Sequence, residues 1–312
     1  MVSPRLMPAE PQNSGCLRTC VIFNPAARGN KARHFRRHLD EIAAQGALKA
    51  TSGPGDARRL AAQAVADGFD LIVAAGGDGT VNETLNGLGD APDGFARARL
   101  GVLPLGTVNV FARELNIPLK IPQAWAVLQR DRELKIDLPW AEFSAEGVRR
   151  KQYFIQLAGG GLDARAIELV SWSLKKRFGP LAYLLAGLQA LRETKPVITV
   201  QAGGQTIAGE LVLIGNGRLY GGNFAVFPAA SLSNGRFEVC ALSRMNWGTL
   251  WGCAPHLLLR GKLPEHAVAR LQAGRFTLSS PQPARFELDG EWAGHLPVEF
   301  GLEPQRLRVA VP

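Results

Sequence analysis

Asp70-Leu71-Ile72-Val73-Ala74-Ala75-Gly76-Gly77-Asp78-Gly79-Thr80-Val81-Asn82-Glu83 is the stretch that decides the fold. Its first six residues form the short apolar run expected of a strand buried on both faces. Glycines at 76, 77 and 79 then lead into Val81–Leu88, which has helical spacing. Glycine lets a ligand approach the backbone without a Cβ in the way, and it permits positive φ. Successive amides in such a turn can line an anion site, and the helix start adds partial positive charge. Phosphate is the natural occupant. Thr80 and Glu83 also fit an S/T-x-x-E capping box, which explains a helix start but not Gly76, Gly77 and Asp78 together. The run is neither a Walker A loop nor a GxGxxG fingerprint.

Two further loops match it. Pro104-Leu105-Gly106-Thr107-Val108-Asn109 follows the apolar run Leu100–Leu103, and Thr107 there could cap the next helix, Val108–Leu115. Asn24-Pro25-Ala26-Ala27-Arg28-Gly29 follows the strand-like Thr19–Phe23. Helical patterns at Lys31–Ala44 and Asp56–Ala66 complete an alternation of strands and helices, which predicts a doubly wound parallel sheet. All three loops would then line the carboxyl edge of that sheet, where open α/β sheets bind ligands.

After about Leu134 the rhythm changes. Lys135–Phe143, Gln152–Leu157, Pro196–Gln201, Glu210–Ile214, Gly235–Leu242, Arg275–Ser279 and Arg285–Leu288 read as strands between glycine-rich turns, the pattern of an antiparallel sandwich. Helical stretches at Leu181–Leu191 and Trp247–Leu259 interrupt them. The expected organisation is a loose tail over 1–16, a nucleotide-binding α/β domain over 17–136 and a β-rich domain over 137–312. The final strand, Leu307–Val311, is a candidate to return to the first domain.

The chain has 312 residues, 46% hydrophobic and 20% charged, with a formal charge of +9 and a pI of about 9.8. Such a balance favours anionic partners. With no zinc finger, RNP aromatic pattern or basic heptad helix, nucleic acid is not expected, which leaves phosphates and anionic membrane surfaces. No apolar run reaches eighteen residues, so a membrane span is not expected either, and the Pro-rich opening lacks the apolar core of a secretory signal. Cys16, Cys20, Cys240 and Cys253 have no metal-ligand spacing and read as reduced thiols in a cytosolic protein. His34 and His38 could share a helix face, but Arg36 and Arg37 beside them would repel a dication.

Taken together, NP-x-x-x-G at Asn24–Gly29, GGDGT-x-NE at Gly76–Glu83 and P-x-GT-x-N-x-FAREL at Pro104–Leu115 resemble the diacylglycerol kinase catalytic-domain family, which includes sphingosine and ceramide kinases and bacterial lipid kinases. The likeness continues through GGGLDAR at Gly159–Arg165, GNGRLYGGNFAVFP at Gly215–Pro228 and Leu288-Asp289-Gly290-Glu291. GGDGT alone is shared with NAD kinases and phosphofructokinases; the ordered set is far more specific.

The resemblance implies ATP bound between two domains and phosphoryl transfer to a lipid hydroxyl, a reaction whose charge neutralisation calls for Mg²⁺. By position, Asn24, Thr51, Gly76, Gly77, Asp78, Gly79, Thr80, Val81, Asn82, Gly106 and Thr107 are the implied nucleotide contacts. Asp78, also a catalytic candidate, is expected from the chemistry of phosphoryl transfer to order Mg²⁺ or its water shell. Asp289 and Glu291 are the implied catalytic acids, one of them taking the hydroxyl proton. Read alone, Asp289-Gly290 is a type I′ hairpin turn.

Three positions depart from the family pattern: Val110 replaces a common Asp, Arg28 interrupts the first loop's glycines, and Ser233-Asn234-Gly235 replaces an acidic turn that helps bind a structural Mg²⁺ in bacterial relatives. The expected location is the cytoplasm, with peripheral contact at the inner face of an anionic membrane. Lys175-Lys176-Arg177-Phe178 with Leu181–Leu191 is one candidate surface, and Trp247, Trp251 and Leu257–Leu259 with Arg260 and Lys262 is another. The acceptor stays open among diacylglycerol, sphingoid bases and phosphatidylglycerol. A kinase of a soluble compound such as NAD, or a non-catalytic lipid- or nucleotide-binding regulator, are the alternatives; the second would be expected to lack Asp78, Asp289 and Glu291. Oligomeric state leaves no mark on the sequence.

Overall fold

The computed structural model of the chain describes residues 17–27, 38–130, 132–161 and 195–312. The expected tail, the first half of Lys31–Ala44, Cys16, His34, the GGGLDAR motif beyond Gly161 and the Lys175–Leu191 surface lie outside these residues. Four parallel strands open the fold: β1 (Thr19–Phe23), β2 (Ala47–Ala50), β3 (Leu71–Gly76) and β4 (Arg99–Pro104), in the order β2-β1-β3-β4. Every residue of β3 and β4 is buried, as strands covered on both faces should be. Helices α1 (Leu39–Ala43), α2 (Asp56–Ala66), α3 (Asp78–Asp90), α4 (Gly94–Arg97), α5 (Val110–Glu114) and α6 (Ile121–Leu128) accompany them. Ala57, Ala61, Ala64 and Val65 of α2 and Val81, Leu85 and Leu88 of α3 join the buried core with these strands.

The chain leaves this half along one uninterrupted strand, β5 (Glu133–Ala145). It pairs with an equally long final strand, β16 (Val298–Ala310), from Val298↔Phe143 to Ala310↔Glu133. β16 also pairs with β4 through Val309↔Leu100 in parallel and with β13 (Arg275–Ser279) antiparallel. The last strand therefore returns to the first sheet. That sheet has ten strands: β6 (Val148–Tyr153) joins beyond β5, and β8 (Ile198–Ala202) and β9 (Gln205–Gly209) beyond β13. A second, six-stranded antiparallel sheet has the order β12-β11-β10-β7-β14-β15. Its strands are β7 (Leu157–Gly161), β10 (Leu211–Gly215), β11 (Phe237–Leu242), β12 (Ala269–Ala273), β14 (Arg285–Leu288) and β15 (Glu291–His295). Phe143, Phe276 and Phe300 of the large sheet meet Phe237 and Phe286 of the small one, with ring centroids such as Phe143–Phe286 at 5.0 Å and Phe237–Phe276 at 5.4 Å. These aromatic contacts are the core of the sandwich.

Several expectations shift. Gln152–Leu157 is not one strand: β6 ends at Tyr153 and β7 begins at Leu157, for a reason that lies at the site below. Helix Val108–Leu115 is cut to five residues, because Asn109 has φ 54° and starts it late. The half-exposed β2, and β9, β12 and β15, gave too weak an alternation to be read in sequence. Cys20, Cys240 and Cys253 are buried, and burial pushes the Cys20 and Cys240 thiols up to about 11 and about 12.

One side chain holds the crossing between the halves. The register of β16 against β5 slips between Glu303 and Leu307, where Gln305 has φ 49°. The buried Asp137 of β5 accepts from Gln305 N at 2.9 Å and from Gly235 N at 2.6 Å. It thus ties the bulge to the Ser233-Asn234-Gly235 turn directly. Asp137→Ala would leave both amides without their acceptor, at about 1–3 kcal/mol each. A loss of about 2–4 kcal/mol in urea unfolding is expected, with a smaller loss for Asp137→Asn.

Candidate active site

The four parallel strands end on one rim. Phe23 stands beside Ala50 and Ala75, and Gly76 beside Pro104. Backbone bonds stitch the loops that follow: Asn24 N donates to Ala75 O at 3.0 Å, Thr51 N to Phe23 O at 2.8 Å, and Leu105 N to Gly76 O at 2.8 Å. Asn24, Thr51, Gly77 and Gly106 are therefore neighbours on the carboxyl edge, as the alternation of strands and helices implied.

The glycines work by closeness. None of Gly76, Gly77, Gly79 or Gly106 has positive φ, contrary to one use suggested by the sequence. A Cβ on Gly106 would stand 2.5 Å from Gly77 Cα, and one on Gly76 would stand 2.2 Å from Thr80 Oγ1. The two glycine loops touch backbone to backbone, which no other residue type allows. Asn109 locks the second loop, accepting from Gly106 N at 2.9 Å and donating to Gly106 O at 2.7 Å. Thr107 is left exposed at its tip and does not cap α5.

The capping box does not form. Gly77 is the N-cap of α3 without a side-chain cap, and Thr80 Oγ1 accepts from Asn24 Nδ2 at 3.2 Å. Glu83 reaches instead to the start of α2, accepting from Gly55 N at 2.8 Å and Ala57 N at 3.0 Å. Val81 sends its side chain into the core and its N–H to Gly77 O. Asp78 turns toward the start of α5, where Phe111 N lies 3.4 Å from its Oδ1. Burial pushes its carboxyl above the ordinary value, and the amides of Val110, Phe111 and Asn109 pull back only part of that.

Against these loops lies the hairpin between β14 and β15. Asp289 has φ 50° and Gly290 φ 82°, the left-handed pair of a type I′ turn. Asp289 Oδ2 accepts from Asn82 Nδ2 at 2.7 Å and Ile155 N at 2.8 Å, and Oδ1 from Gln156 N at 2.9 Å and Leu157 N at 3.1 Å. Strand pairing breaks at 154–156 so that these amides can converge on one carboxylate. Burial pushes Asp289 upward against the pull of those four donors. Glu291 differs: it is exposed, and its Oε1 would stand 2.7 Å from a Cβ on Gly79. Asp289, Glu291, Asp78, Asn82 and the glycine loops are thus brought together where the two halves meet.

Other residues of the cleft were not singled out in the sequence. Asn86 donates to Tyr153 O at 2.9 Å and accepts from Tyr153 N at 3.0 Å, latching α3 to β6. The spacing of Asn82 and Asn86, one helical turn apart, was the available signal. The buried Glu114 of the FAREL segment accepts from Arg218 Nε at 3.1 Å, Leu219 N at 2.8 Å and Gln156 Nε2 at 3.2 Å. It anchors the GNGRLYGG loop beside the second glycine loop.

Among the described residues no three His, Cys, Asp or Glu side chains are grouped to hold a metal ion. A protein-only Mg²⁺ cage does not fit this donor set. A Mg²⁺ that shares most of its shell with phosphate oxygens and water does, since it needs only one or two carboxylates. Near the Ser233-Asn234-Gly235 turn, Asn234 Oδ1 accepts from Arg236 N at 3.1 Å and Asp137 takes Gly235 N, so hydrogen bonds within the chain hold that turn.

Gly106→Ala forces backbone against backbone and is expected to destabilise by about 1–3 kcal/mol in urea unfolding. The exposed Thr107→Ala should stay within about 0.5 kcal/mol.

Comparison with known proteins agrees with this architecture. Residues 18–140 match the family described as diacylglycerol kinase catalytic domain, and residues 157–311 the YegS C-terminal NAD kinase beta sandwich-like domain. The chain is 32% identical to the diacylglycerol kinase of Bacillus subtilis (strain 168) over 306 residues, which is 95% of this chain and 96% of that one. It is equally 32% identical to the diacylglycerol kinase of Staphylococcus haemolyticus (strain JCSC1435), covering 95% and 89%. A crystal structure of a diacylglycerol kinase from Bacillus anthracis str. Sterne shares the fold, with a TM-score of 0.75, 22% identity and coverage of 96% and 99%. Yeast NADH kinase complexed with NADH is a more distant likeness of fold alone, with a TM-score of 0.55, 10% identity and coverage of 96% and 84%. Two matched domains in order, and a full-length relative above 30% identity, establish that this chain is a lipid kinase of the diacylglycerol kinase catalytic-domain family.

Proposed function

We propose that the protein transfers the γ-phosphoryl group of ATP to the free hydroxyl of a diacylglycerol-class lipid at a membrane surface. The observation that carries this reading is the contact across the cleft: Asp289 bonded to Asn82 at 2.7 Å, with Glu291 Oε1 beside Gly79. An acidic corner from one half meets a glycine-lined rim from the other. Phosphoryl transfer needs chiefly positioning and charge neutralisation, with a carboxylate near the acceptor hydroxyl.

In this reading the first turn of α3 and the Gly106–Thr107 loop cradle the phosphates, with Asn24, Thr51, Thr80 and Asn82 beside them. Val81 supports the turn from the core. Asp78 would hold the Mg²⁺ that accompanies the nucleotide; when bound, that ion offsets phosphate charge. Asp289 is the positioning residue, because both of its oxygens are already engaged by donors. Glu291, exposed at the mouth of the cleft, takes the acceptor's proton as the hydroxyl oxygen bonds to phosphorus and the bond to ADP breaks. The likeness to an NADH kinase extends to fold alone, so a soluble acceptor such as NAD is the competing reading.

Labelled ATP with diacylglycerol in mixed micelles, set beside sphingoid base, phosphatidylglycerol and NAD, tests the proposal. Diacylglycerol is expected to be the acceptor. Glu291→Gln should lower kcat by about 10²–10⁴-fold, with the KM for ATP little changed. Label on NAD alone, or a Glu291→Gln enzyme within about threefold of wild type, would contradict it.

A further inference from the structure

Helix α7 (Trp247–Arg260) is well made at both ends and poorly covered along its length. Asn246 caps it, accepting from Thr249 N at 2.9 Å, and Gly261 closes it with φ 66°. Its inner side packs Cys253 and Leu257 on a small core with Phe227, Leu242 and Met245. At 100° per residue, Trp247, Trp251, Pro255, Leu258 and Leu259 fall on the opposite side. Trp251 is 73%, Leu258 75% and Leu259 85% exposed. A helix apolar on both sides belongs in an apolar surrounding on both sides.

Three observations say what that surrounding is. Trp247–Arg260 contains no acidic residue, and exposed cations flank it at Arg244, Arg260 and Lys262. The whole chain carries a charge of +9. The C-terminal end of α7 also adjoins the cleft. Gly261 lies against Asn223 O, with a Cβ there 3.9 Å away, and Asn223 Oδ1 accepts from Arg113 Nη1 at 2.9 Å. Arg113 Nε in turn donates to Val108 O at 2.8 Å, and a Cβ on Gly222 would sit 3.5 Å from Val108 Cγ1. Leu258 and Leu259 are thus one short turn removed from the second glycine loop.

We propose that α7 seats the protein on an anionic phospholipid bilayer. Its Trp247–Trp251–Leu258–Leu259 side enters the boundary between headgroups and acyl chains, and Arg244, Arg260 and Lys262 face lipid phosphates. Through Gly261 and the 221–223 turn, docking sets the cleft at the height of the headgroups. The inference rests on the proposed lipid substrate for its purpose, but its test does not depend on turnover.

The test is co-sedimentation with phosphatidylcholine vesicles, with and without phosphatidylglycerol, in the absence of nucleotide. Trp251→Ser/Leu258→Ser/Leu259→Ser should weaken binding by about tenfold or more, while its urea midpoint and its activity on a short-chain diacylglycerol below the micelle threshold stay at wild-type values. Arg260→Glu/Lys262→Glu should remove the gain from phosphatidylglycerol. Undiminished binding of the triple variant overturns the proposal, as does an unchanged phosphatidylglycerol gain in the double variant. A wild-type dimer that the triple substitution dissociates without loss of vesicle binding would assign the surface to a second copy and overturn it equally. If wild type phosphorylates no diacylglycerol yet the triple variant loses vesicle binding, the proposed function fails and the docking surface stands.

Discussion

The structure depends on one buried carboxylate. Asp289 collects four donors from two places far apart in sequence: the Asn82 amide on α3 and the backbone of Ile155, Gln156 and Leu157. Placing an ion there is costly, as the upward displacement of its proton affinity records. The convergent hydrogen bonds offset part of that cost, each from a different donor. The carboxylate therefore acts as an assembly condition. It fixes the hairpin that carries Glu291 to the helix that carries the glycine rim, and it sets where the chain must leave β6 before it enters β7.

Around this point the chain avoids flexible linkers. The halves are joined by β5 and β16, two paired thirteen-residue strands, and the slip in their register is closed by Asp137. Glu114 and Asn86 add further bonds across the same junction. Several buried polar groups thus serve one boundary, where a cleft must keep its geometry while presenting polar atoms. The apolar cores, one around the parallel sheet and one between the two sheets of the sandwich, provide the rigid bodies that these bonds join.

Much of this was legible in the sequence where the signal was local. Asp70–Ala75 running into glycines, and the repeat of that pattern at Leu100–Gly106, gave the parallel sheet and the rim. What escaped was contact over long separation. Glu83 looked like a partner for Thr80 three residues away, yet it caps α2, because α3 already starts at Asp78 and leaves Thr80 inside the helix. Gln152–Leu157 looked like one strand because nothing local marks the break; its cause is Asp289, more than 130 residues later. The glycines suggested left-handed turns, whereas their use is contact between two backbones that only the folded sheet brings together. The Asp-Gly pair was read as a hairpin turn or a site; the turn forms, and its carboxylate is the point on which four donors converge.

The most direct measurement of the central claim is a double-mutant cycle on Asn82→Ala and Asp289→Ala, read in kcat/KM for ATP with lipid saturating. If the Asp289–Asn82 bond holds the acidic corner against the glycine rim, the two losses overlap, with a coupling of about 1–3 kcal/mol. Losses that simply add, within about 0.5 kcal/mol, would mean that the two residues act separately and that the corner is held in place by something else.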